Sequence, residues 1–259
     1  MQSSTLFIDK ESSFHALHPL TKLSVSILFL VGSFTVPSLR LILLSFAFLL
    51  LPLSAWARLL NELIRNSVII GWPFVLSLSI IQGFFTDGET ILFTLGRFTF
   101  TEEGLLSGLT IAARILLALG GALLLMLSTR PDKLMLALRE RGLADWLGYV
   151  VLTALQIFPR FQDRAQVIMD AQKSRGLELE VGLIRRLRLL VPLLSPLILS
   201  SIVDVEERAM ALEARAFTHS AKKTSLIKLE DSALQRLVRS LLLLLMLALT
   251  IFRLKAFLS

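Results

Sequence analysis

Two short stretches, Ala171-Gln-Lys-Ser174-Arg175-Gly176-Leu177 and Ala211-Leu-Glu-Ala214-Arg215-Ala216-Phe217, share one arrangement: a small residue four positions before an arginine and another just after it. Such an arginine has two available jobs. In the last turn of a helix it complements the C-terminal dipole, and a glycine after it is an ordinary cap. At an exposed helix tip, small neighbours let a partner's backbone approach, and the planar guanidinium, which never loses its charge, grips a carboxylate in two places. The separation of the two stretches is forty residues and the match is brief, so they do not by themselves make a repeat.

Other chemistry-bearing patterns are thin. No Gly-x-x-x-x-Gly-Lys-Ser/Thr occurs, so any ATP used with this chain must be bound by a partner, and no cofactor is expected on the chain itself. There are no cysteines, which excludes disulfides and thiolate metal sites. Glu206-Glu207 resembles the start of a Glu-Glu-x-x-x-Arg intramembrane protease motif, but Ala211 follows the spacer and the pair reads as a solvated face with Arg208. His15, His18 and His219 lie outside the apolar runs and read as solvated or interfacial; catalytic and metal residues are expected to be none. Arg114 lies in an apolar run, where a charge marks either function or an internal pairing.

The elements that must carry these residues belong to a membrane protein. Of 259 residues, 54% are hydrophobic, and the mean hydropathy is +0.73, rarely seen in a soluble domain of this size. The net charge of +7 falls in segments between apolar runs without interleaved aromatics, which fits positive-inside topology and not nucleic-acid binding. Residues 1–19 lack the basic-then-apolar order of a signal peptide, so the first apolar run is expected to stay.

Five spans are predicted, from the roughly 20 apolar residues that a ~30 Å hydrocarbon core demands. They are Lys22–Val36 and Leu39–Leu53, a hairpin turning at Pro37-Ser38; Val68–Phe85, kinked at Pro73; Leu105–Leu127; and Leu237–Phe252. Gly104 and Gly108 thin the fourth, which predicts close helix packing there. Trp56, Trp72 and Trp146 are placed near span ends as interfacial anchors. The loop 86–103 carries Asp87, Glu89, Glu102 and Glu103 against Arg97, whereas Arg58, Arg65, Arg130, Lys133, Arg139 and Arg141 lie opposite. The acidic loop and the C-terminus are therefore expected outside, and the N-terminus and residues 128–236 in the cytoplasm. Three regions result: 1–127, an N-terminal membrane bundle; 128–236, cytoplasmic; and 237–259, the last span.

Within 128–236 the pattern becomes amphipathic. A helix is predicted over 148–175, with Ile157, Phe161, Ala165 and Ile168 on one face and Arg160, Asp163, Arg164 and Asp170 polar. A second is predicted over 184–217, with Ile202, Val205, Ala209, Leu212 and Ala216 on one stripe and Asp204, Arg208 and Arg215 on another. The run 191–203 is apolar but short, and Pro192 and Pro196 break its beginning; it is placed along the cytoplasmic interface or beneath the spans, with a re-entrant or true crossing as the alternative. The fold class is all-α: an integral membrane helical bundle of about five spans with long amphipathic cytoplasmic helices.

The two Ala-x-x-x-Arg-small stretches resemble the coupling motifs, usually Ala-Arg-Gly, of the transmembrane T component of energy-coupling-factor (ECF) transporters, the family that includes the cobalt-transport membrane subunit. Leu17-His18-Pro19-Leu20-Thr21-Lys22-Leu23 resembles the family's entry to its first span, and Ser128-Thr129-Arg130-Pro131, with Leu134 and Leu138, its stretch after the fourth. The likeness covers nearly the whole chain. It implies a non-enzymatic energy-coupling subunit in the cell membrane that holds a substrate-binding S component against two ABC-type ATPase subunits, A and A′, for uptake of a vitamin or a transition-metal ion such as cobalt. The coupling residues would be Ser174, Arg175, Gly176, Ala214, Arg215 and Ala216, supported by Ala171 and Ala211, with Arg175 engaging one ATPase and Arg215 the other. Ser174 and Ala216 depart from the usual Ala and Gly; both are small, but a cap needing positive φ at 216 is put in doubt. A membrane-embedded enzyme and a stand-alone secondary transporter are the competing readings, against which stand the lack of paired His, Asp or Glu in the spans and of evident inverted repeats.

Overall fold

A computed structural model describes residues 10, 12–95, 98–176, 183–217, 219 and 229–258. Helix α1 (Pro19–Thr35) starts on a proline, whose missing N–H costs nothing in a first turn, and His18 caps it by accepting from Leu20 N through Nδ1. Helices α2 (Leu39–Ser45) and α3 (Leu51–Trp56) are joined by a π-helical turn over Phe46–Leu50. Pro52 follows directly; without an N–H it cannot continue the ordinary ladder, and a wider turn just before it absorbs the mismatch.

Helix α4 (Leu60–Phe85) runs through Pro73, and α5 (Glu102–Ser128) starts from Thr101, whose Oγ1 accepts from Gly104 N. A short α6 (Pro131–Glu140) precedes α7 (Asp145–Ser174) and α8 (Leu183–Ala214), and α9 (Ala233–Leu258) closes the chain. The fold class is all-α, with four helices long and apolar enough to cross a membrane among the described residues: Leu39–Trp56, Leu60–Phe85, Glu102–Ser128 and Ala233–Lys255. Helix α1 is apolar but shorter.

Three readings change. The loop 86–103 holds an antiparallel hairpin, β1 (Ile91–Leu95) and β2 (Phe98–Thr101), whose Phe93 and Phe100 rings stack at 4.8 Å. Its alternating Phe and Thr residues carry that β signal, within a segment bounded by acidic charges. Trp72 stands in the middle of α4, because that helix begins at Leu60, well before Val68. The backbone of α8 is continuous through Pro192 and Pro196.

The chain forms two compact units, one holding α7 and α8 and the other all remaining elements. In the larger unit α4 and α5 pack tightly because α5 has no side chains at the crossing. A Cβ on Gly108 would lie 2.6 Å from Leu78 O, and one on Gly104 would strike the backbone of Gln82 and Gly83. Phe29, Ile42, Leu50, Leu117, Leu124 and Leu127 fill the adjoining core.

Cations hold the helix ends of this unit. Lys22, buried, donates from Nζ to His15 O at 3.0 Å and Ser128 O at 2.9 Å, tying the start of α1 to the end of α5. Arg114 donates to Val36 O at 3.3 Å, at the end of α1, which supports the internal-pairing reading of that residue. Buried Arg239 reaches His18 Nδ1 at 3.1 Å and Asp231 Oδ2 at 2.5 Å, while Gln235 Oε1 accepts from His18 N at 2.8 Å. Helices α1 and α9 therefore start at the same end of the bundle. Burial pulls His18 below its ordinary 6.5, against Asp231's upward pull and with Arg239's help, so the ring is neutral in this clasp.

Two predictions follow from this packing. Gly108→Val should cost about 1–3 kcal/mol by overpacking, whereas Gly32→Ala, with nothing within 4 Å of its new methyl, should gain about 0.5–1 kcal/mol; thermal unfolding in detergent checks both. Because the folded-state pKa of His18 is depressed, its share of stability is present above about pH 6.5 and lost as pH falls below it. The unfolding midpoint should drop between about pH 8 and 5.5, and His18→Gln should flatten that slope.

Candidate site at the helix tips

Helix α7 begins with Asp145 in its first turn, favourable at the positive end of the dipole, and ends at Arg175. Arg175 N donates to Gln172 O and Gly176 N to Lys173 O, with Gly176 at φ +88. Helix α8 ends in the same way. Ala216 N donates to Glu213 O and Phe217 N to Leu212 O, both at 2.9 Å, the paired bonds of a Schellman cap. Ala216 takes φ +54, so the left-handed cap forms without the glycine, at the cost of Cβ strain.

The eight residues singled out from the sequence, Ala171, Ser174, Arg175, Gly176, Ala211, Ala214, Arg215 and Ala216, are all exposed. Ser174 Oγ donates back to Asp170 O, closing on its own helix. The Arg175 and Arg215 guanidinium groups make no hydrogen bond or ion pair with a described residue. A third tip, not singled out from the sequence, provides an internal comparison. Arg141-Gly142-Leu143 ends α6 with Gly142 N donating to Arg139 O, Leu143 N to Leu138 O, and φ +104 at Gly142. There the arginine is engaged: Arg141 pairs with Asp231 at 3.5 Å. Helix ends that share a residue at positive φ just after the arginine thus carry arginines with different fates.

The smaller unit fixes how its two tips relate. Arg164 pairs with Asp204 at 2.6 Å, and the rings of Tyr149 and Phe217 meet at 5.1 Å, so the start of α7 faces the end of α8 and the pair is antiparallel. The hydrogen bond and charge of Arg164 hold the Asp204 carboxyl below its usual range. Arg215 adjoins the Tyr149 end of α7, while Arg175 lies 26 positions further along that helix, about 39 Å away at ~1.5 Å per residue. The tips face different surroundings and cannot enter one carboxylate together.

The face of α8 that is least exposed carries Leu197, Ser201, Asp204, Arg208 and Leu212, at spacings of three and four. The apolar stripe of Ile202, Val205 and Ala209 is uncovered by the chain. The other face, with buried Leu197, the Arg164–Asp204 pair and the Tyr149–Phe217 ring contact, is the covered one, which leaves the stripe available to lipid or protein. Glu206 and Glu207 are exposed. His15 shares a 2.7 Å hydrogen bond with Ser12, and among the described residues no group of three His, Cys, Asp or Glu is placed to hold a metal ion.

Residues 10–226 match the family described as CbiQ, cobalt transport protein. The chain is 31% identical over 227 residues to the energy-coupling factor transporter transmembrane protein EcfT of Heliobacterium modesticaldum, covering 84% of this chain and 85% of that protein. It is 31% identical over 231 residues to the protein of the same description from Streptococcus equi, covering 84% of each. It is 30% identical over 229 residues to that of Listeria innocua, covering 84% and 85%.

The caps give a direct expectation. Ala216→Gly should relieve about 1 kcal/mol of left-handed strain and Gly176→Ala should introduce a similar amount. Hydrogen exchange at the amides of Ala216 and Phe217 should slow in the first variant, and that of Gly176's position should quicken in the second.

Proposed function

The chain belongs to the CbiQ cobalt transport protein family, and from that membership we propose that it is the T component of an ECF-type importer. In this reading it couples two ABC-type ATPase subunits to a substrate-binding S component for uptake of a vitamin or a transition-metal ion. It is a membrane protein; residues 128–236 and the N-terminus face the cytoplasm, and the partners bind the ATP. Arg175 docks into one ATPase and Arg215 into the other, with Ser174, Gly176, Ala214 and Ala216, and one turn back Ala171 and Ala211, keeping each approach open.

The observation that carries this reading is the contrast among three helix ends that each place a residue at positive φ just after an arginine. Arg141 is tied to Asp231, whereas Arg175 and Arg215 are exposed and unpaired among the described residues, at opposite ends of an antiparallel pair. Two separate tips suit two separate acidic grooves, each offering bidentate carboxylate geometry. ATP-driven closure of the ATPases would move the two ends of the pair relative to each other. The uncovered stripe Ile202, Val205 and Ala209 gives the S component an apolar surface to follow that motion. Coupling requires only that the tips bind one ATPase state better than the other.

Charge reversal tests it. Arg175→Glu and Arg215→Glu should each weaken binding of one ATPase by about 30-fold, the scale of a central hot-spot arginine, and the double variant should abolish ATP-driven uptake in reconstituted vesicles. Arg141→Glu should lower stability without that loss. Intact assembly and uptake in the double variant would rule the docking roles out.

A further inference from the structure

A groove of about 360 Å3 opens between α1 and α9, lined by Leu20, Leu23 and Leu243 on its apolar side and by Arg141, Arg236 and Arg239 at its mouth, with Ser24 and Ser240 between. The charges there do not cancel. Asp231 binds Arg239 at 2.5 Å and Arg141 at 3.5 Å, and one carboxylate cannot neutralise both. Arg236 is exposed and makes no side-chain hydrogen bond or ion pair among the described residues, and its charge too bears on the single carboxylate of Asp231. The neutral ring of His18 adds no counter-charge, and Glu140 is exposed and outside the lining. Helices α1 and α9 start together at this end, so the positive ends of two dipoles add to the same excess.

The depth is also defined. Helix α9 is long and apolar enough to span from Ala233, and Arg236 falls in its first turn, where arginine places its head at headgroup level. Leu20 in the first turn of α1 lies level with Arg236, while Leu23 in α1 and Leu243 in α9 lie about one and two turns deeper, where acyl chains begin. A cationic mouth above an apolar slot between spanning helices matches one amphiphile.

We propose that this groove binds an anionic phospholipid, its phosphate held by Arg236 and Arg141 and the start of one acyl chain lying along Leu20, Leu23 and Leu243. Arg239, fixed by Asp231 and His18, positions the mouth and does not itself release its carboxylate. The lipid ties the first and last spanning segments together from the bilayer side, complementing the His18–Arg239–Asp231 clasp on the protein side. The inference rests on the membrane placement of α1 and α9 and not on the ATPase reading, whose arginines are elsewhere in the sequence.

Native mass spectrometry of the full chain, released from detergent with added phosphatidylglycerol or phosphatidylcholine, tests it. Phosphatidylglycerol should be retained over phosphatidylcholine. Arg236→Gln should lower retention by about five-fold and the Arg141→Gln, Arg236→Gln pair by about twenty-five-fold, while Arg236→Lys keeps most of it. Leu243→Ser should also lower it, which binding of a bare phosphate group would not feel. Equal retention of both lipids, unchanged retention in the double variant at equal helicity, or full displacement by millimolar inorganic phosphate would each overturn the proposal.

Discussion

A helix end that water does not reach must find donors for its last carbonyls inside the protein, and in this chain cations supply them. Helix α1 has 17 residues, fewer than a straight crossing needs, and its exit is completed by Arg114 donating to Val36 O. At its other end Lys22 donates to Ser128 O, so one buried ammonium serves the last residue of α5. Between these contacts α1 lies beside α5 over the 14 positions from Arg114 to Ser128, or about 21 Å. The short helix is thereby fixed in depth against the long one. Glycine-thinned contact between α4 and α5, and the clasp from α1 to α9, then build outward from that pair.

The same rule separates arginines used inside the fold from arginines left open. Arg114, Arg239 and Arg141 all have acceptors within the larger unit, and Arg164 has Asp204 in the smaller. Arg175 and Arg215 have none among the described residues, although each, like Arg141, stands just before a residue at positive φ. A guanidinium left unpaired at a helix tip has no internal partner to give up when a carboxylate arrives, which favours its use in docking.

How much of this was legible in the sequence depended on whether a signal was local. The long apolar runs, the two amphipathic helices and the Gly104–Gly108 contact follow from composition and 3.6-residue spacing, although α4 begins eight residues before the Val68 that spacing suggests. The hairpin 91–101 was obscured because its alternating Phe and Thr lay inside a segment defined by acidic charge. Pro192 and Pro196 read as breakers in the sequence, yet the α8 backbone runs through both. The cap at Ala216 was doubted because propensity disfavours alanine at positive φ; two backbone hydrogen bonds at 2.9 Å outweigh that preference. Pairings such as Lys22 with Ser128, or His18 with Arg239, span 106 and 221 positions and leave no local trace. For the same reason Arg141 was not distinguished from its two counterparts by its sequence context.

The chain has no cysteine, so a single thiol introduced at a tip reports on that tip alone. Ser174→Cys and Ala214→Cys place one beside Arg175 and Arg215 without touching either guanidinium. Maleimide labelling of each variant, before and after addition of the ATPase subunits, measures whether both tips become covered. The account predicts rapid labelling of both in the isolated chain, strong protection of both in the assembled complex, and cross-links from the two positions to separate ATPase subunits. Labelling at both positions that stays as fast in a fully assembled, transport-competent complex would contradict it.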